Sequence, residues 1–184
     1  DNLLGVVDAI EPYLSNDHLL LLRSTIYPGT TKIVRNRLKD AGHVIGDDIY
    51  LAFTPERVTQ HRAIDEIVNL PQLVGAFDKA SFDRAESLFE SVINADCHRM
   101  PPAEAELGKL FTYMWRDLTF AAANDVYFIA DSFATHHNVN IHHILEQTSR
   151  NYPRFDVPSP GANVGGPCLT KDGWFLADNI PYNE

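Results

Sequence analysis

A cysteine between two glycines and two charged residues forms the most reactive segment of the sequence. Gly165 and Gly166 precede Cys168, and Lys171 and Asp172 follow it by three and four residues. If a helix begins at the cysteine, the thiol, the ammonium and the carboxylate lie on one face, and the helix dipole and Lys171 both favour the thiolate. The glycines let a ligand approach the backbone closely. The segment therefore indicates a nucleophilic cysteine; the alternative is a buried structural cysteine at a turn-to-helix junction.

Other polar residues with chemical potential follow buried strands or lie on a helix. Ser24 and Thr25 come directly after one apolar run, and Glu56 follows another. In open α/β sheets, ligands bind at the carboxyl ends of the strands. Lys109 and Tyr113 lie on one face of a long apolar helix, either as part of a site or as a solvated edge. Together these groups suit attack of a thiol on a carbonyl carbon, with a lysine stabilising the oxyanion and a carboxylate activating water.

The elements that must position these residues alternate between strands and helices. Short continuous apolar runs are typical of buried parallel strands, and amphipathic stretches between them predict helices. The pattern predicts an α/β fold with a mostly parallel sheet. The predicted strands are 18–22, 49–53, 72–77 and 97–100, and the predicted helices among them are 3–14, 30–37 (with Thr30 or Thr31 as N-cap) and 80–93.

The character of the sequence changes after residue 101, where a helix of about 34 residues is predicted. Its first turn carries Glu104 and Glu106, a favourable end for carboxylates. It is apolar on more than one side, so we expect a second subunit to cover it. A shorter helix at 139–150 and a loop that carries Arg154 lead into the cysteine segment.

Composition and charge exclude several classes of function. The chain has 184 residues, 45% of them hydrophobic, and a net charge of −10, which disfavours nucleic acid or an anionic membrane as partner. No apolar run approaches the ~20 residues of a membrane span. With only two cysteines and no signal peptide, we expect a reduced, cytoplasmic protein. The paired histidines lack a metal-binding pattern, and no metal site is expected. Because no initiator methionine opens the sequence, we expect a fragment of a longer protein.

Four motifs in order resemble the nucleotide-sugar 6-dehydrogenases, which include the UDP-glucose, GDP-mannose and UDP-N-acetylhexosamine dehydrogenases. The residues of these motifs are most similar to those of the UDP-N-acetylhexosamine dehydrogenases. The motifs are Arg23-Ser24-Thr25-Ile26-Tyr27-Pro28-Gly29-Thr30-Thr31, Thr54-Pro55-Glu56-Arg57-Val58, Ala105-Glu106-Leu107-Gly108-Lys109-Leu110, and Pro160-Gly161 followed by Gly165-Gly166-Pro167-Cys168-Leu169-Thr170-Lys171-Asp172.

The resemblance implies oxidation of a sugar C6 alcohol to a carboxylate with two NAD+, through a thiohemiacetal and a thioester on Cys168. Lys109 would stabilise the oxyanions, with Asp172 beside the thiol. Thr25 would hold the catalytic water, and Glu56 would be the base for thioester hydrolysis.

The resemblance also implies residues for the cofactor and the UDP-sugar. The cofactor NAD would contact Ser24, Thr25 and Lys171. The substrate-binding residues would be Arg57, Lys109, Tyr113, Arg154, Gly165 and Gly166.

The same resemblance implies a domain organisation. Residues 1–100 would be the second half of a Rossmann-like NAD-binding domain, and 101–184 an all-α central domain with a homodimer formed through its long helix.

Two departures from the family pattern are visible. Tyr113 stands where family members usually have an asparagine, four residues after the lysine, which bears on thioester hydrolysis. The sequence also contains no Gly-x-Gly-x-x-Gly, the turn that holds the NAD pyrophosphate. The alternatives left open are a catalytically silent dimerisation or binding module and, as a third class, a thiol hydrolase that uses Cys168.

Overall fold

A four-stranded sheet organises the first part of the chain in the computed structural model, which describes residues 2–59, 61–162, 169 and 171–177. The chain divides into two units, 1–109 and 110–184. The strands are β1 (Leu19–Leu22), β2 (Tyr50–Phe53), β3 (Gln72–Ala76) and β4 (Cys97–Met100), in that spatial order.

The direction of the strands sets which loops meet at one edge. β1 pairs with β2 in parallel, β2 with β3 antiparallel, and β3 with β4 in parallel. The carboxyl ends of β1 and β2 therefore lie side by side, where the N–H of Thr54 donates to the carbonyl of Leu22 at 2.9 Å. The segments that carry Thr25 and Glu56 both leave the sheet there.

Helices cover both faces of this sheet. Alternate residues of β2 point to opposite sides, so Leu51 and Phe53 belong to one apolar cluster and Ala52 to the other. The first cluster is completed by α1 (Asn2–Ile10) and α2 (Thr30–Asp40), and the second by α4 (Lys79–Glu90). A short 3-10 helix, Glu11–Tyr13, follows α1, and α3 (Ala63–Asn69) joins β2 to β3.

The long helix α5 (Pro102–Ala134) begins against the sheet, where a glycine makes room for it. A Cβ placed on Gly75 of β3 would lie 2.7 Å from Cα of Pro102 and 3.0 Å from Cβ of Ala105. Farther along, a Cβ on Gly108 would lie 3.3 Å from Leu73. The first two turns of α5 therefore lie directly on β3 and carry Lys109.

The second unit consists of the rest of α5, α6 (Ile141–Ser149) and a four-residue helix, Trp174–Ala177. The side chain of Asn140 caps α6 by accepting from the N–H groups of His142 and His143 at 3.0 and 3.3 Å. Its packing includes Leu145, which is buried. Leu169, Lys171 and Asp172 also have helical backbone.

The predicted fold class is confirmed, with a sheet in which two of the three described strand pairs are parallel. Predicted strand and helix ends agree to within a few residues. The predicted N-cap of α2 was wrong: the cap position is Gly29, with φ of 94° and no side-chain cap of its own. The sequence reasoning also missed α3, since its short 7-residue apolar pattern lies in a stretch of polar residues.

Candidate active site

Glu56 lies at the carboxyl end of β2 with its carboxylate held by three groups. The Arg23 guanidinium forms an ion pair with it at 2.5 Å, and the N–H groups of Arg57 and Val58 donate to it at 2.7 and 2.9 Å. Arg23 also donates to the hydroxyl of Thr54 at 3.3 Å. These contacts fix the carboxylate at the edge of the sheet.

The same contacts determine the acidity of this carboxyl group. Burial raises the pKa of Glu56, but the hydrogen bond from Val58, the hydrogen bond and charge of Arg23 and the Arg57 N–H together outweigh it. The pKa is lowered overall from its ordinary value of 4.5. Glu56 is therefore ionised at neutral pH, the form that a general base requires.

Lys109 contacts Glu56 through the main chain. Its ammonium, on a residue only 4% exposed, donates to the carbonyl oxygen of Glu56. Two residues 53 positions apart in sequence are thus in contact through the main-chain carbonyl of Glu56. A buried ammonium near this edge can stabilise a developing oxyanion.

Thr25 and Ser24 lie on the neighbouring segment that follows β1. Thr25 is half-buried and Ser24 is exposed. Arg57 is half-buried, and its guanidinium donates to the carbonyl of Pro71 rather than standing free in solvent. The structure therefore places all three at the edge where β1 and β2 end.

A buried carboxylate that the sequence reasoning gave no role lies beside this segment. Glu106 is 1% exposed and accepts from the N–H of Gly29 at 2.5 Å, the N–H of Thr31 at 2.8 Å and the hydroxyl of Thr31 at 2.6 Å. It thus caps α2 from α5. Sequence reasoning placed it in the first turn of its own helix, and only its spacing of three residues before Lys109 pointed to the site.

In the second unit, Lys171 and Asp172 form an ion pair with each other. The carboxylate of Asp172 is fully buried, whereas the Lys171 side chain is 60% exposed. The Lys171 ammonium lies 5.9 Å from the ring centre of Phe175. Lys171 and Asp172, the two charged residues predicted to act with the thiol, are therefore in contact with each other, and of the two only Lys171 is open to solvent.

Tyr113 lies in the wall of a cavity of about 440 Å³ within the second unit. Leu169, the residue that follows the cysteine in sequence, and Trp174 share this wall. Arg154 is exposed and lies over the ring of Tyr152 at 4.8 Å from its centre. Tyr113 thus lies near Leu169, and Arg154 extends from an exposed loop.

Cys168, Gly165 and Gly166 lie outside the residues that the structure describes. The other cysteine, Cys97, is half-buried in β4. Burial, with the charges of Glu86, Glu90 and Asp96, raises its pKa to about 11. Cys97 is therefore protonated at neutral pH and is a poor nucleophile.

Two searches of the described residues bear on other classes of site. No three histidine, cysteine, aspartate or glutamate side chains among them are grouped so that they could bind a metal ion. In the same residues, every helix is too short or too polar to cross a bilayer.

Comparison with known proteins identifies relatives along the whole chain. The chain is 31% identical to a UDP-N-acetyl-D-mannosamine dehydrogenase of Methanocaldococcus jannaschii over 94% of its own length, and 30% identical to an NDP-N-acetyl-D-galactosaminuronic acid dehydrogenase of Ralstonia solanacearum. The solved UDP-D-ManNAc dehydrogenase of Pyrococcus horikoshii superposes on all of it with a TM-score of 0.90 at 29% identity. The chain spans about two fifths of each: 38% and 42% of the first two, and 43% of the third.

Two family domains match in succession. Residues 2–93 match the NAD binding domain of the UDP-glucose/GDP-mannose dehydrogenase family, and residues 103–183 match its central domain. The first match confirms NAD as the cofactor of the family. The motifs around Thr25, Glu56 and Lys109 fall within these two matches, at the sheet edge where the structure brings Glu56 and Lys109 into contact. The chain belongs to the UDP-glucose/GDP-mannose dehydrogenase family.

Proposed function

We propose that the protein containing this chain oxidises the C6 alcohol of a UDP-sugar, a UDP-N-acetylhexosamine in the first instance, to a uronic acid in the cytoplasm. The contact of Lys109 with Glu56 carries the proposal. In it the Lys109 ammonium donates to the main-chain carbonyl of Glu56, whose side-chain carboxylate is ionised, and this supports an oxyanion role for the lysine and a base role for the carboxylate at the carboxyl edge of β1 and β2. The dehydrogenases to which the chain is similar include UDP-N-acetyl-D-mannosamine dehydrogenases, which supports this substrate class.

The chemistry assigns a task to each side chain. Loss of a hydride and of the hydroxyl proton from the C6 alcohol would give the aldehyde, to which the Cys168 thiolate would add. Loss of a second hydride would convert the resulting thiohemiacetal to a thioester. Water, held by Thr25 and deprotonated by Glu56, cleaves that thioester to a carboxylate and restores the thiol. Lys109 stabilises the oxyanion at both additions, and Asp172 lies beside the thiol.

The residues of this chain can supply some of the contacts that the cofactor NAD needs. NAD+ supplies the hydride acceptor when bound, two molecules for each alcohol oxidised. The hydroxyls of Ser24 and Thr25 lie at the sheet edge where dinucleotides bind, and we assign them and Lys171 to the cofactor. Because the sequence has no Gly-x-Gly-x-x-Gly, we assign this chain no pyrophosphate contact.

Substrate contacts are assigned to residues of both predicted domains, 1–100 and 101–184. We propose that Arg57 of the first domain and Lys109 of the second bind the sugar-nucleotide. Tyr113 would contact the sugar because it lines the cavity next to Leu169. Arg154, Gly165 and Gly166 would complete this set.

Replacement of the cysteine tests the mechanism. Full-length protein supplied with UDP-N-acetylmannosamine is expected to form close to two NADH for each uronic acid, measured at 340 nm and by product chromatography. Cys168→Ala should lose turnover because no thioester can form.

Cys97→Ala is the matched control, and it should retain turnover because the Cys97 thiol is protonated and part of β4. NADH formation in Cys168→Ala at the wild-type rate would refute the covalent mechanism. If only Cys97→Ala lost turnover, the nucleophile would be Cys97 and not Cys168.

We also propose that the protein forms a homodimer through α5. Eight large apolar side chains on this helix are at least 40% exposed in the chain, and a second copy of the same helix offers them the same apolar surface. They are Phe111, Met114, Trp115, Leu118, Tyr127, Phe128, Ile129 and Phe133.

A further inference from the structure

Glu106 joins two elements that each carry residues of the proposed site. Its carboxylate, 1% exposed, accepts one hydrogen bond from Gly29 and two from Thr31, all between 2.5 and 2.8 Å. The two residues lie at the start of α2, and Glu106 lies on α5. The contact is therefore a tertiary link rather than part of either helix.

Helix α2 depends on this link for its cap. Its N-cap residue is Gly29, which has no side chain, and the hydroxyl of Thr30 donates back to the carbonyl of Tyr27. The first N–H groups of a helix have no partner within it. Glu106 supplies the missing acceptor, and the positive end of the helix dipole favours its charge.

The other end of the link leads to Lys109. Residues three apart on a helix lie on the same face, so Glu106 and Lys109 point to one side of α5. Lys109 donates to the carbonyl of Glu56, while the residues held by Glu106, Gly29 and Thr31, follow Thr25 by four and six positions. A rotation of α5 that breaks the Glu106 contacts would also withdraw the Lys109 ammonium from Glu56.

We propose that Glu106 is a positioning residue, which fixes the rotation of α5 and so holds Lys109 against Glu56 while anchoring the Thr25 segment. The inference rests on the proposed function for its catalytic consequence, but the positional claim stands on the hydrogen bonds alone. Glu106 contacts neither substrate nor cofactor in this proposal.

The test measures the chemical reactivity of Lys109 in Glu106→Gln. The glutamine keeps one acceptor oxygen, and its N–H₂ group replaces the other. One of the three donors then faces another donor, so that hydrogen bond is lost. Acetylation of Lys109 by acetic anhydride, followed by mass spectrometry and normalised to the exposed Lys32, should accelerate about tenfold or more as the buried ammonium becomes accessible. The measurement uses the 184-residue chain and needs no activity.

Two control variants separate position from stability. Glu104→Gln removes an exposed carboxylate two residues away on the same helix and should leave Lys109 labelling unchanged. Val74→Ala weakens the core on the α4 side of the sheet and should also leave it unchanged under native conditions. If Glu106→Gln does not fold, Thr31→Val, which removes only the hydroxyl donor, should raise labelling by a smaller factor.

The kinetic arm uses the full-length protein. Glu106→Gln should lower kcat by about tenfold or more and raise KM for the UDP-sugar by a smaller factor, because a misplaced Lys109 loses the oxyanion contact in the transition state as well as its contact with the bound substrate. Lys109 labelling equal to wild type in both Glu106→Gln and Thr31→Val would overturn the proposal. Faster Lys109 labelling in Glu106→Gln, together with a full-length wild-type protein that has no dehydrogenase activity, would support the positional claim and refute the proposed function.

Discussion

Glu56 uses its two ends for different purposes. Its carbonyl oxygen accepts from Lys109, and its carboxylate accepts from Arg23 and from two main-chain N–H groups. A residue held at both ends has little freedom to move between catalytic steps. Its lowered pKa keeps it ionised but makes it a weak base, so the proposed role of Glu56 in activating water requires a well-oriented water molecule.

Arg23→Gln should raise the pKa of Glu56. Burial continues to favour the neutral acid, whereas the charge and hydrogen bond of Arg23 are lost. The side-chain carboxyl shift in 13C NMR, followed against pH, measures this directly. Arg62→Gln, which removes an exposed partner of Asp65, is the control and should leave the Glu56 titration where it is.

The stability consequence has a definite sign. Because the folded pKa of Glu56 lies below its ordinary value, its contribution to folding is present above pH 4.5 and is lost as pH falls through the lowered value. The Glu56 and Arg23 side chains are 40% and 31% exposed, so the unfolding free energies of the wild type and Arg23→Gln should differ by less than about 1 kcal/mol at neutral pH. A difference in unfolding free energy that grows towards acid pH would contradict this account.

At the scale of the elements, α5 is positioned by contacts that its own sequence does not display. Its first two turns lie on β3 because Gly75 has no side chain, and its rotation is tied to α2 through Glu106. The amphipathic pattern of α5 reveals neither contact. Both belong to pairs of elements rather than to one.

Gly75→Ala should destabilise the first unit by about 1–3 kcal/mol, because the new Cβ would overlap the backbone of Pro102 and neither element can yield easily. Urea unfolding followed by circular dichroism gives the free energy. Gly5→Ala in α1 is the matched control: nothing lies within 4 Å of its Cβ, and alanine favours a helix. Equal stability of the two variants would show that α5 does not rest on Gly75.

The first three strands were predictable from sequence because each is a short, mostly apolar run that is followed by polar residues. The same reasoning placed Thr25 and Glu56 at the carboxyl edge, and the motif spacing placed Lys109 with them. It did not find α3, nor the caps that helices receive from elsewhere. Glu106 was interpreted as a favourable charge on its own helix because a tertiary hydrogen bond to Gly29 leaves no periodic signal.

At the scale of the whole molecule, the exposed side of α5 is the feature that most affects behaviour in solution. Trp115 and Phe133 lie eighteen residues, or five whole turns, apart on one face of the helix and are 67% and 56% exposed. Burial of a large apolar side chain contributes about 1.5–3 kcal/mol, so cover of this face by a second copy would stabilise the proposed dimer. A single exposed apolar residue would need no such explanation.

Trp115→Glu combined with Phe133→Glu should convert the proposed dimer to a monomer, since a charge cannot be buried there without a partner. Sedimentation equilibrium at micromolar concentration reports the mass. Ile64→Glu is the control, with the same chemical change at an 85% exposed position on α3, and it should remain dimeric. A wild-type monomer at these concentrations would exclude α5 as the interface.

Because the start of α5 packs directly on β3, the number of residues between Pro102 and Lys109 is constrained. Lys109 follows Pro102 by seven residues, about two helical turns, and the start of the helix is fixed at Gly75. One residue inserted or deleted between them would turn the ammonium by about 100° around the helix axis, away from Glu56. The exposed positions Ala103 and Glu104 are therefore open to substitution, whereas the number of residues from Pro102 to Lys109 is not open to insertion or deletion.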